Sequence, residues 1–549
     1  MKKIFFKMLS VALLLPTIIS CDDMKFLDKA PYSHTSPENY YQKLSDFESA
    51  IVGCYDAISI AKIGTVDVTY GTYITGLQYM LSAGNDEMVL STNPGTYDYT
   101  AFGEASYVTQ NSAISQLWTA FFAGIMRCNY VIAKAAEISL PEGDAARLNE
   151  IAAEARFLRG FFYFHLAELF GGVPVYTGLN SDAYAQRCPI EEVYNKVIIP
   201  DLDYAYRTLP HRAGIMGAAS KWSAAGYLAT VYNYLATCKR YNVGNTLADN
   251  ELNKFDWVNE EQMRDNAKTV LEDIYKNSQY KLIDRYDYLF RETTKSFQQQ
   301  ECLFTVENTC ETADTYPQST ALFSPGGSAY GGSYGIYRNT IELYDSYENT
   351  GSIDIRRNYN ITKSYSASSA KESIEGVNYL IPGTANKSSS DYPGKFRESD
   401  PSSRALTKNR SGISIPLIRY ADMILQYAEV KYFQGDEPGA RSLLTEVRQR
   451  IVASGKNVDE LNITYHKDNF IEELLAERSR ELCFESKRRI DLIRFGKLTD
   501  VINSININAG GNNPQAKKLQ DNWEEYKIWF PIPQVERDLN KNLTQNYGY

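Results

Sequence analysis

EARFLRGFFYFHLAELFGGVP, residues 154–174, decides the fold class. Ala155, Leu158, Phe162, His165 or Leu166, and Leu169 recur at the 3.6-residue spacing that places apolar side chains on one face of an α-helix. Gly171 and Gly172 then offer a helix C-cap, and Pro174 prevents continuation. Phe161, Phe162 and Phe164 add rings on further sides, so the segment reads as a helix buried on more than one face.

The same periodicity extends in both directions. Residues 46–62, 112–137, 144–170, 190–209, 220–241 and 259–276 are amphipathic at helical spacing, as are 418–434, 437–451 and 470–495. The last contains neither Gly nor Pro, so one continuous helix is expected there. Short turns, such as Leu140-Pro141-Glu142-Gly143 and Gly435-Asp436, separate neighbouring helices. Helix pairs that bury their faces only by stacking are the logic of a repeat array, although no clean 34-residue consensus is present. The predicted class is mainly α: tetratricopeptide-like helix pairs as a scaffold, with an irregular, loop-rich subdomain.

That subdomain is expected at 280–416, where Gly, Ser, Asn and Tyr rise and long apolar periodicity stops. A second loop-rich stretch runs from 64 to 103. The chain therefore divides into 1–20, a tether at 21–40, a helical scaffold at 41–279, the irregular subdomain, and C-terminal helices with a docked tail at 417–549. Loops held on a rigid scaffold are where binding usually sits.

Composition narrows the function. The 549 residues carry 57 basic and 67 acidic side chains, a net charge of −10, with 44% hydrophobic residues. This is a globular mix rather than a disordered one, and it argues against a nucleic-acid partner, which requires a basic face. Tyrosine is in excess, at 42 residues. Residues 1–21, MKKIFFKMLSVALLLPTIISC, have a basic start and an apolar stretch too short for a stable span, which reads as a secretory signal. Ser20-Cys21 at its end resembles a lipobox, making Cys21 the expected lipidation site and the membrane anchor. Asp22 and Asp23 resemble a surface-export signal.

No reactive centre stands out. The other cysteines, Cys54, Cys128, Cys188, Cys238, Cys302, Cys310 and Cys483, form no CxxC pair and no zinc spacing; Cys302 and Cys310 could bridge a hairpin-like loop in an oxidising compartment. Gly331-Gly332-Ser333-Tyr334-Gly335 matches the nucleophile-elbow pattern in letters but lacks the strand and helix that chemistry needs. The four histidines, His34, His165, His211 and His466, include no evident base. No catalytic residue, metal ligand or cofactor is expected, and the chain does not read as an enzyme.

The loop aromatics are the better candidates. A pyranose exposes C–H groups on one face and hydroxyls at its edge, so a Tyr platform beside amides, carboxylates or guanidinium suits it. Asn85, Asp86, Tyr97 and Tyr99 offer this mix in the first loop-rich stretch. Tyr330, Tyr334, Tyr337 and Arg338 offer it in the second. Of the five Trp, Trp118 and Trp222 read as core, and Trp523 and Trp529 as tail-docking residues. The scarcity of loop Trp leaves room for a peptide ligand.

Several segments together resemble the SusD/RagB family of outer-membrane nutrient-binding lipoproteins. Leu27-Asp28-Lys29-Ala30-Pro31 resembles its N-terminal motif, and residues 154–174 its EA-x-x-LRA…FG-x-VP helix, with Gly160 for the usual Ala. IPLIRYADMILQYAE (415–429), ERSRELCFESKRRIDLIR (477–494) and WFPIPQVERDLNKNLTQNYGY (529–549) resemble three later blocks in the family's order, with Tyr547 for the usual Pro. The resemblance implies a mostly helical fold with four tetratricopeptide-like pairs. It also implies a SusC-like TonB-dependent barrel as partner and delivery of a ligand, usually a glycan, into it. A peptide-binding relative of the same kind and a non-transport helical scaffold are the alternatives. The charged residues of the 477–494 block, including Glu477, Arg480, Glu481, Glu485, Arg488 and Asp491, read as a structural ion-pair network between helices, and Arg419 and Asp422 as i,i+3 neighbours on a helix.

Overall fold

Helices begin where side chains satisfy the first free amides. The computed structural model of the protein describes residues 40–58, 62–63, 66–67, 76–91, 98–180, 182–308, 335–363, 370–374, 376–380, 391–396, 412–508 and 514–549. The first helix, α1 (Leu44–Asp56), enters the core through Phe47, Ile51 and Cys54. Asn111 accepts hydrogen bonds from the amides of Ala113 and Ile114, at 3.0 and 3.2 Å, and so starts α2 (Ser112–Glu137). Ser220 and Ser223 form a reciprocal cap at the start of α5 (Lys221–Arg240).

Between them, α3 (Glu142–Phe170) is buried at every residue from Phe157 to Phe170. Phe161 meets Tyr227 edge-on at 5.2 Å, and Phe162 lies 5.1 Å from Phe121. Each fully buried ring contributes about 1.5–3 kcal/mol. Gly171 ends the helix at φ +74, and a Cβ there would lie 2.0 Å from the Asn253 side-chain oxygen, which instead accepts the Gly172 amide at 2.8 Å. Gly160 lets α4 (Ile199–Thr208) come close: an added Cβ would sit 3.1 Å from Leu202. Beside it, Arg159 grips buried Asp201 with two hydrogen bonds of 2.6 and 2.9 Å.

Residues 190–209 are not one regular helix. An α turn (Ile190–Val193) widens into a π turn (Tyr194–Ile198) before α4 begins with Pro200 in its first turn. The proline lacks an amide hydrogen and its ring crowds the carbonyl four residues back, which the wider turn relieves.

Onward, α6 (Glu260–Asn277), α7 (Tyr420–Phe433) and α8 (Glu437–Arg450) continue the stack. Each helix from α2 to α8 packs on the one before it, and α1 packs on α2 and α3. Because α7 follows α6 directly in space, the described residues between 278 and 419 are an excursion from the array. Strands among the described residues form antiparallel pairs only: β1 (Met88–Leu90) with β3 (Tyr337–Asn339), β2 (Cys302–Val306) with β4 (Ile415–Arg419), and three short ribbons. Mostly helical architecture with an irregular subdomain is thus what the chain adopts.

Two sequence expectations change. The 470–495 segment breaks into α9 (Phe470–Leu482) and α10 (Arg488–Arg494). Phe484 and Ser486 sit at φ +65 and +63, and the freed Phe484 amide donates to Glu87 at 3.2 Å. Within the 64–103 stretch, residues 78–82 form a helical turn buried at every position. Cys302 is a buried thiol on β2, whereas Cys310 lies outside the described residues.

The tail docks on the end of α3. The Phe530 amide donates to Leu169 at 2.7 Å, and the Asn546 amide group donates to the carbonyls of Phe170 and Phe530 at 3.0 and 2.8 Å. Asn546 thereby satisfies backbone groups where the tail docks, and Glu536 accepts the Thr119 hydroxyl at 3.3 Å.

Candidate functional site

The two loop-rich stretches meet at a strand pair. Met88 faces Asn339, Val89 faces Arg338 and Leu90 faces Tyr337, and the Ser91 amide donates to the Ile336 carbonyl at 2.7 Å. The chain therefore enters 92–97 and leaves 309–334 at the same end of one short ladder. Beneath that ladder three rings are layered. Tyr79 lies 5.4 Å from Tyr99 and 5.8 Å from Tyr337, both stacked, and the Tyr337 hydroxyl donates to the Tyr99 carbonyl at 3.1 Å. Such pairs add about 0.5–1.5 kcal/mol each beyond burial. Burial pushes the Tyr337 phenol far above its ordinary pKa, so it stays neutral.

A latch fixes the ladder to the C-terminal helices. Asp86 takes two hydrogen bonds from Arg488, at 2.8 and 2.6 Å. Glu87 accepts from Ser479 at 3.0 Å and from the Phe484 amide at 3.2 Å. From the other strand, the Thr340 amide donates to the Glu87 carbonyl at 3.2 Å, and its hydroxyl donates to the Asp86 carbonyl. Burial raises the Glu87 carboxyl to about 7; Arg488 opposes this, and Asp86 adds to it. The folded protein therefore binds a proton that the unfolded chain releases above the ordinary value of 4.5, and stability falls as pH rises from about 4.5 to about 7. In Glu87→Gln that downward slope is expected to vanish in urea titrations run across this interval.

This geometry sorts the residues named from sequence. Asn85 is fully buried, donating to the Ser82 carbonyl and accepting from the Glu87 amide, both at 2.9 Å. Asp86, Tyr99 and Tyr337 are likewise committed to the latch and the ring stack. These four are framework, because their polar atoms and faces are already used. Arg338 is half-buried, its guanidinium 4.3 Å above the Tyr392 ring. Tyr97, Tyr330, Tyr334 and Cys21 lie outside the described residues. Sequence reasoning missed Tyr79 and Tyr392; each sits in a stretch that lacks apolar periodicity, so neither was marked as a packing ring.

The 477–494 block is a buried charge hub. Glu481 accepts from Arg356 at 2.9 Å and from Arg419 at 2.7 Å, and also pairs with Arg450. Glu477 binds Arg356, Arg448 and Arg480 at 2.7, 2.8 and 2.9 Å. Burial raises these carboxyl pKa values, but the surrounding guanidinium groups more than offset it: Glu481 falls to about 2 and Glu477 well below its ordinary range. Carboxylates held ionised in this way are structural. Some partners differ from the helical spacing expected. Arg419 is extended at the end of β4 and pairs with Glu301, Glu481 and Glu485, while Asp422 pairs with Arg478. Arg488 reaches Asp86, whereas Asp491 binds Arg478 and Arg494.

Other chemistry-bearing side chains are engaged in packing. His165 lies 3.0 Å from Glu168 inside the core, and the His211 ring meets Trp222 edge-on. Trp118, Trp222, Trp523 and Trp529 are buried. Ser333 lies outside the described residues. Among the described residues, no group of His, Cys, Asp and Glu is placed to hold a metal ion, and no helix is long and apolar enough to cross a membrane.

Comparison with known proteins agrees with this architecture. The SusD family model matches residues 300–549, and a second model, described as starch-binding associating with outer membrane, matches residues 25–233. SusD-like protein P2 of Formosa agariphila is 24% identical over the full length of both chains. A SusD homolog from Bacteroides thetaiotaomicron superposes with a TM-score of 0.71 at 21% identity, covering 94% of this chain and 99% of its own. Surface glycan-binding protein A from Bacteroides fluxus superposes with a TM-score of 0.68 at 19% identity, covering 92% and 99%. With two such models in register on the two halves of the sequence and the helical stack continuous between them, the chain belongs to the SusD/RagB family.

Proposed function

We propose that the protein captures an oligomeric glycan at the cell surface and passes it, unaltered, to a SusC-like TonB-dependent barrel. Cys21 carries the lipid that holds it to the outer membrane. The observation that carries this reading is the β1–β3 ladder, which brings the ends of two Tyr-rich stretches together on a rigid support. Tyr97, Tyr330 and Tyr334 supply stacking surfaces, and Arg338 supplies hydroxyl contacts. The buried Tyr79, Tyr99 and Tyr337 and the Asp86–Arg488 latch hold the ladder in place. The names of the similar proteins, starch-binding and glycan-binding among them, support the ligand class. The hub carboxylates, tied to arginines and held ionised, support binding rather than hydrolysis as the activity.

Loss of one stacking ring removes about 0.5–1.5 kcal/mol, so each of Tyr97→Ala, Tyr330→Ala and Tyr334→Ala is expected to weaken oligosaccharide binding roughly two- to tenfold. Titration calorimetry with soluble α- and β-linked oligosaccharides checks this. Binding of peptides in place of every oligosaccharide would replace the glycan reading with the peptide one.

A further inference from the structure

A second concave surface lies on different elements. A cleft of about 870 Å³ opens between α1, the first half of α3, the 210–219 loop and the end of β2. Its floor is apolar, built from Ile51, Ile58, Ala219, Phe304 and Val306. Its lip is apolar yet open to solvent: Val52 is 63% exposed, Ile215 70% and Met216 44%. Monomer surfaces seldom gather large apolar side chains in this way without a partner.

The walls are predominantly acidic. Glu48, Asp56, Glu150, Glu154 and Glu307 line the cleft against the single guanidinium of Arg147. Arg147 is already committed, to Glu150 at 3.1 Å and Glu154 at 2.9 Å. Asp56 pairs with Arg127 at 3.1 Å and Glu307 lies 3.4 Å from Lys295, while Glu48 is exposed and has no cation within salt-bridge distance among the described residues. Such walls repel anionic lipid, acidic peptides and a second copy of this chain, whose net charge is −10. A sugar is poorly served as well. The Tyr55 hydroxyl is engaged, donating to Glu154 at 2.9 Å and accepting from the Ala219 amide at 2.7 Å, and the lip offers Val52, Ile215 and Met216 rather than a flat ring.

We propose that this cleft docks a peptide segment of a partner protein that presents aliphatic side chains flanked by lysine or arginine. The aliphatic groups fill the floor beside Ile51 and Phe304, Met216 adapts to their shape, and the basic groups meet Glu48 and the neighbouring carboxylates. The proposal stands independently of the glycan site, because no residue of the β1–β3 ladder or its latch lines the cleft.

Fluorescence anisotropy on the full-length protein tests it with three labelled dodecapeptides: alternating Leu and Lys, alternating Leu and Glu, and alternating Ser and Lys. Only the Leu–Lys peptide is expected to bind. Ile215→Asp combined with Met216→Asp should weaken it at least tenfold, Val52→Ser by a smaller factor, and Glu48→Lys should weaken it most at low salt. All these positions are exposed, so oligosaccharide binding should be unchanged in every variant. Failure of the Leu–Lys peptide to bind, equal binding of the Leu–Glu or Ser–Lys peptide, or undiminished affinity in the Ile215/Met216 variant would each overturn the assignment. So would parallel loss of oligosaccharide binding.

Discussion

Replacing Arg419 by methionine is expected to lower the unfolding free energy by about 3–5 kcal/mol. The guanidinium is 1% exposed and uses every side of its fork. It donates to Glu485 at 2.7 and 2.9 Å, to Glu301 at 2.9 Å, and to Glu481 at 2.7 Å through both a carboxylate oxygen and the backbone carbonyl. Methionine fills much of the same volume, so the cost comes from charge: three carboxylates lose a shared cation in a place water does not reach. Lys395 and Arg450 remain beside Glu485 and Glu481 and limit the loss. Arg419→Lys keeps the charge but forfeits the fork, and is expected to fall between the two. Urea unfolding followed by circular dichroism gives the values. A change below 1 kcal/mol for Arg419→Met would show that the hub contributes little.

Acid should unfold the protein steeply, and for the same reason. Burial raises the pKa of Glu429 and Glu481, but Arg494 and Arg264 around the first, and Arg450, Arg419 and Arg356 around the second, bring each to about 2, against an ordinary value of 4.5. For a carboxyl whose folded pKa is depressed, the unfolded chain binds the proton first. The stabilisation is whole above about 4.5 and is lost as pH falls from there towards about 2. Each such shift, if realised in full, is worth about 3 kcal/mol, a sizeable part of a typical domain's total stability. Protonation of Glu87 works in the opposite sense between about 4.5 and about 7. Stability is therefore expected to peak near pH 5, decline gently towards 7 and collapse below 4. Midpoints of urea unfolding collected from pH 2.5 to 8 check the shape; a flat profile between 4.5 and 2.5 would contradict it.

Long helices were legible because their signal is local. Residues 112–137 read as helical from periodicity and form α2 with those bounds, and 220–241 and 437–451 came within a residue of α5 and α8. The break after Leu482 was not legible, since neither Gly nor Pro marks it. It is imposed by partners distant in sequence: Glu87, almost 400 residues away, takes the Phe484 amide. The charged block reads as structural and is so; helical spacing pairs Arg419 with Asp422, but strand geometry at Arg419 overrides that rule, and Arg488 turns to Asp86. The two loop-rich stretches were legible in the sequence, but their meeting at one ladder was not. Which of the named tyrosines pack beneath the ladder depends on β1–β3 register, which a single sequence does not give for strands of three residues. Asn85, Tyr99 and Tyr337 read as contacts from the sequence, and the structure buries all three.

The most direct test is titration calorimetry of the purified protein and of a Tyr97→Ala/Tyr330→Ala/Tyr334→Ala/Arg338→Ala variant against the same panel of soluble oligosaccharides. The account predicts measurable, weak binding of at least one oligosaccharide by the unmodified protein, and its loss in the variant with unfolding midpoint unchanged. Oligosaccharide binding retained at full affinity in the fourfold variant, or none detected in the unmodified protein across the panel, would contradict it.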